Sequence, residues 1–93
     1  MNSADKKKLR AAAHTFKPVI MIGQSGLTSA VVAETKQALD SHELIKVKIR
    51  AERAERKLIS EKICTNTGAE LIQTIGQIAV INRMNPDKYR GLI

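Results

Sequence analysis

Along this chain the spacing of apolar residues switches repeatedly between the period of a helix and that of a strand. From Ser3, a suitable N-cap, to about His14, the residues Leu9, Ala12, Ala13 and Phe16 form a thin apolar stripe, which predicts a first helix. Lys17 to Ile22 is a continuous apolar run behind a proline, the pattern of a strand that begins at Pro18 and is buried on both faces. From Thr28 to about His42, Val31, Val32, Thr35, Ala38 and Leu39 share one stripe while Ala33, Lys36, Gln37 and Asp40 face away, as in a helix laid across a sheet. Leu44 to Arg50 alternates, with Ile45, Val47 and Ile49 on one side and Lys46, Lys48 and Arg50 on the other. A charged connection, Ala51 to Arg56, leads to a third helix that carries Ile59 and Ile63 as its i, i+4 core pair and stops at Gly68. Glu70 to Ile75 and Ile78 to Arg83 are short β-rich runs joined by Gly76-Gln77, a two-residue hairpin signal.

The predicted order is therefore helix, strand, helix, strand, helix, strand, strand. Strands separated by helices imply right-handed parallel crossovers, and the last two must be antiparallel. The fold class is α/β of the mixed α+β kind, with a four-stranded mixed sheet packed with helices. Residues 1–83 are expected to form one domain, and residues 84–93, with a Pro, a Gly and Tyr89, a basic flexible tail.

Composition narrows the function. The chain of 93 residues carries 16 Lys and Arg against 9 Asp and Glu, a net charge of +7, which favours a polyanionic partner. One Phe, one Tyr and no Trp cannot supply a platform of stacking aromatics, so contact should fall mainly on the sugar-phosphate backbone. No apolar run approaches the ~20 residues of a membrane span, and the start of the chain has no apolar signal core. A cytoplasmic protein without membrane contact is expected. The lone Cys64 and two distant histidines, His14 and His42, give neither a disulfide nor a ligand set, so no metal or cofactor is expected. Nothing near the glycines supplies an acid-base pair or nucleophile, which argues against an enzyme and against a small-molecule substrate.

The candidate chemistry centres on Gly23-Gln24-Ser25-Gly26, between the first strand and the second helix. Small residues let a polymer backbone approach, and a helix that starts at Thr28 aims unpaired N–H groups at the loop. Lys7, Arg10 and His14 share a face of the first helix, which is either solvated or a basic ridge that leads to Lys17 and the glycine loop. The outward row Lys46, Lys48 and Arg50 is either a binding face or the charged guard of an edge strand. Arg53, Arg56 and Lys57 are either solvated or part of the same basic surface.

The stretch from Lys17 through Gly23-Gln24-Ser25-Gly26-Leu27-Thr28, then His42 to Ile49 and Thr67-Gly68, resembles the stand-alone bacterial CRM domain of the YhbY type over about residues 3 to 83. The resemblance implies a fold similar to the C-terminal domain of translation initiation factor three. It also implies binding to ribosomal RNA in large-subunit precursors and assistance to ribosome assembly. The resemblance maps its glycine loop to Gly23, Gln24, Ser25 and Gly26, with Lys17, Lys46, Lys48, Arg10 and His14 as the adjoining basic surface; Thr28 at the helix start and Arg50 on the outward row complete the expected RNA-binding residues. A monomer is expected. The alternative is a general basic coat protein for DNA or RNA of the Alba type.

Overall fold

The computed structural model describes residues 2–84. Its elements are α1 (Ser3–Ala13), β1 (Ile20–Ile22), α2 (Ser29–His42), β2 (Leu44–Ile49), α3 (Arg53–Thr67), β3 (Glu70–Ile75) and β4 (Ile78–Asn82). The sheet order is β1-β2-β4-β3, parallel between β1 and β2 and antiparallel elsewhere. This is the expected mixed sheet. The tail from residue 85 onward lies outside the described residues.

Period-two alternation in the central strands sends their side chains to two different layers. Ile45, Val47 and Ile49 of β2, Ala79 and Ile81 of β4 and Ile20 and Ile22 of β1 join Leu39 of α2 in the main core, with Ile59 and Cys64 of α3 packed against it. On the opposite face Leu44, Ile72 and Val80 pack against Ala13 and Leu9 of α1. One short helix covers that face only in part. Buried hydroxyls are settled locally, since Thr35, Ser60 and Thr67 each donate to the carbonyl one turn back, at Val31, Arg56 and Ile63.

Three local expectations are corrected. The first strand starts at Ile20 rather than Pro18, and it is an edge strand with one open face, because Met21 is 55% and Val19 51% exposed. Ile20 and Ile22 alone go into the core. The third helix starts at Arg53, so most of the supposed connection is helical; Glu52 precedes it without a side-chain cap. Asn2 rather than Ser3 caps α1, its Oδ1 accepting from Asp5 N at 2.9 Å, and Phe16 lies exposed beyond the helix.

Arg83, just after β4, ties the far ends of two helices together. Its guanidinium donates to the carbonyls of Thr67 at 2.8 Å and Lys36 at 3.1 Å and pairs with the Asp40 carboxylate. A cation there meets the negative ends of α2 and α3. Nearby, the Glu43 carbonyl accepts from Asn82 Nδ2 and Arg83 N, which holds the positive-φ turn that ends α2. Cys64 packs against the core, where burial, aided by the Glu70 charge, pushes its thiol up to about 11. It therefore stays protonated and unreactive at neutral pH.

Candidate nucleic-acid interface

The glycine segment forms a tight turn in which Gly26 N donates to Gly23 O at 3.0 Å. Gly26 has φ +70 whereas Gln24 and Ser25 do not enter positive φ, so the turn is of type I with a left-handed residue after it. Such a pair of residues points successive N–H groups into a shallow concavity suited to an anion. Gly23, Gln24 and Ser25 are exposed. A Cβ built on either glycine would meet nothing within 4 Å, so their smallness serves access from outside and not internal packing.

The start of α2 reinforces this end. Thr28 is the N-cap and its Oγ1 accepts from Val31 N at 3.2 Å, which leaves its hydroxyl proton able to donate outward. Ser29 and Ala30 lie exposed in the first turn, where N–H groups have no intrahelical partner. The first turn holds no acidic residue, so no side-chain carboxylate opposes the positive end of the helix dipole there.

Strand register decides which cations join the loop. Arg50 N donates to Ile22 O at 2.9 Å, so Arg50 sits beside the residue that precedes Gly23. Lys46 and Lys48 follow on the same face of β2, opposite Val80 and Ile78 of β4. Because β2 lies between β1 and β4, these cations do not guard an edge. The edge-strand alternative fails. They form a basic line on the half-covered face and end at the glycine turn.

The other expected residues lie elsewhere. Lys17 precedes β1 while the turn follows it, and six residues of extended chain span on the order of 20 Å. Arg10 is exposed on α1, whose C-terminal end meets β2 where the Lys46 ammonium donates to the His14 carbonyl at 3.3 Å. His14, Arg10 and Lys17 thus belong to the far end of the basic line and not to the turn. Lys46 is partly a structural tether of α1.

A second cationic group was left out of the expected site. Arg53, Arg56 and Lys57 stand in the first turns of α3, beside a cleft closed on its other side by the β3-β4 hairpin. Their signal in the sequence is their number at a helix start, where cations oppose the dipole.

The family model described as the CRS1 / YhbY (CRM) domain matches residues 1–83. A Pseudomonas aeruginosa protein named a probable RNA-binding protein is 38% identical over 93 residues, covering 99% of this chain and 89% of its own length. A Haemophilus influenzae protein named an RNA-binding protein is 44% identical over 84 residues, 89% of this chain and 85% of its own. Among solved structures, that of a Staphylococcus aureus protein, described as a candidate RNA-binding protein, superposes with a TM-score of 0.82 at 30% identity, covering 91% of this chain and 90% of that one.

Proposed function

Since the chain belongs to the CRS1 / YhbY (CRM) domain family, we propose that it is an RNA-binding protein that grips the sugar-phosphate backbone at the Gly23–Gly26 turn and, by associating with ribosomal RNA in large-subunit precursors, assists ribosome assembly. The observation that carries the reading is the convergence, at one end of the sheet, of an exposed glycine turn, an uncompensated helix start and the last cation of the β2 line. Two of its relatives are named RNA-binding proteins.

N–H groups of the turn and of the first turn of α2 donate to phosphate oxygens, while Lys48 and Arg50 neutralise the neighbouring phosphates. Engagement of about four phosphates of single-stranded RNA gives a slope of log affinity against log salt near −0.7 times that number. Sequence preference is weak, because the site offers backbone donors and point charges but no aromatic face for stacking bases. The protein acts as a cytoplasmic monomer, by binding and not by turnover, and needs no cofactor.

The ribosomal part of the proposal is tested by sedimenting a cell lysate through a sucrose gradient at low and high salt and blotting for the protein. Migration with large-subunit precursors at low salt, and release to the top at high salt, is expected. Migration at the top under both conditions would refute the association.

A further inference from the structure

The cleft between α3 and the β3-β4 hairpin adjoins the glycine turn through the end of β2. Ile49 N donates to Gln77 O at 2.7 Å on one side of that end, and Arg50 N donates to Ile22 O at 2.9 Å on the other. The hairpin and the turn therefore flank β2 at the same end of the sheet, about two strand spacings apart, or roughly 10 Å. The cleft itself measures about 860 Å³.

Its walls are chemically uneven. Arg53, Arg56 and Lys57 line one side, Leu71 contributes apolar surface, and Glu61 is the one acid among its described lining residues. Arg56, part of the cleft lining, donates to the Ala51 carbonyl at 2.9 Å, which pins the connection that follows Arg50 and fixes the guanidinium. Arg53 and Lys57 are exposed, and among the described residues neither has a hydrogen bond or ion pair. Cations there work against the α3 dipole and contribute nothing evident to packing, so the fold gives no reason for them. A polyanion arriving from the neighbouring turn does.

We propose that this cleft is a second RNA subsite, which receives the same strand after it leaves the glycine turn and crosses Arg50. Arg53 and Lys57 contact its phosphates, and the Leu71 surface shields an unstacked base from water. The inference rests on the glycine-turn reading and extends the contact from one end of the sheet onto the α3 side.

Length of RNA separates the two subsites. A clamp of the G-x-x-G kind spans about four nucleotides, so oligouridines of about four and about ten nucleotides serve as probes. Affinities are measured for the wild type, the pair Arg53→Ser with Lys57→Ser, a charge-matched control pair Lys36→Ser with Lys62→Ser, and Gly23→Asp. The cleft pair is expected to lose about tenfold on the longer oligomer, as the loss of two phosphate contacts implies, and little on the shorter one. The control pair should lose clearly less. A cleft pair that matches the control on the longer oligomer, while Gly23→Asp still loses binding, would overturn the second subsite and leave the turn reading in place. Wild-type binding of both oligomers by Gly23→Asp would sink the turn reading and this extension with it.

Discussion

Gly23→Asp is expected to lower RNA affinity by about 100-fold or more while leaving the unfolding midpoint in urea close to that of the wild type. The new carboxylate stands where a phosphate is to be held, and placing like charges together at an interface costs several kcal/mol, of which about 2.7 kcal/mol already corresponds to 100-fold. The fold has no cause to object: a Cβ at Gly23 meets nothing within 4 Å and the residue does not need positive φ. Gly26 differs, since its φ of +70 makes any side chain there costly, by roughly 1 kcal/mol. Loss of binding in Gly26→Asp would mix strain with charge. Gly23→Asp separates them, and undiminished affinity in a folded Gly23→Asp protein would remove the turn from the binding site.

Reversal of the cations nearest the turn, Lys48→Glu with Arg50→Glu, is expected to cost a comparable factor and also to change how binding responds to salt. Two lost phosphate contacts should reduce the magnitude of the slope of log affinity against log salt by about 1.4, at about 0.7 per contact. Lys46 is the poorer test because its ammonium also holds the His14 carbonyl, so its replacement would loosen α1 as well. Lys48 has no such bond among the described residues; in the register it stands between Met21 and Ile78 on the open face. An unchanged slope in the double variant would mean that the β2 line does not touch RNA. Its position on an inner strand would then need another explanation.

The alternation of β2 was legible because each of its faces has a distinct fate, one beneath α2 and α3 and the other half-open beside α1. The first strand was harder to read. Val19 and Met21 are apolar yet exposed, so the run looks continuous although only Ile20 and Ile22 are buried. The start of α3 was hidden for the converse reason. Its first turn is solvated, so apolar spacing says nothing until Ile59, while backbone hydrogen bonding begins six residues earlier.

Among the site residues, the turn and Arg50 could be joined from the sequence only through strand pairing. Closeness along the chain pointed instead to Lys17. Parallel pairing of β1 with β2 sends Lys17 to the far end of the sheet and brings in Arg50, which is 24 positions beyond Gly26. The antiparallel pairing of β2 with β4 carries the β3-β4 hairpin to the same end of the sheet as the turn, and so places the α3 cations, plain enough as charges, near it. Arg83 was legible as a charge at the end of a strand, but its three partners come from two helices distant in sequence.

The most direct test follows backbone amide chemical shifts of the isotope-labelled wild-type protein during titration with an oligouridine of about ten nucleotides at low salt. The largest changes are predicted at Gln24, Ser25, Gly26 and the first turn of α2, with Lys48 and Arg50 next, and they should collapse as salt is raised. Changes confined to α1 or to the solvent face of α2, with the Gly23–Gly26 amides unmoved, would contradict the account.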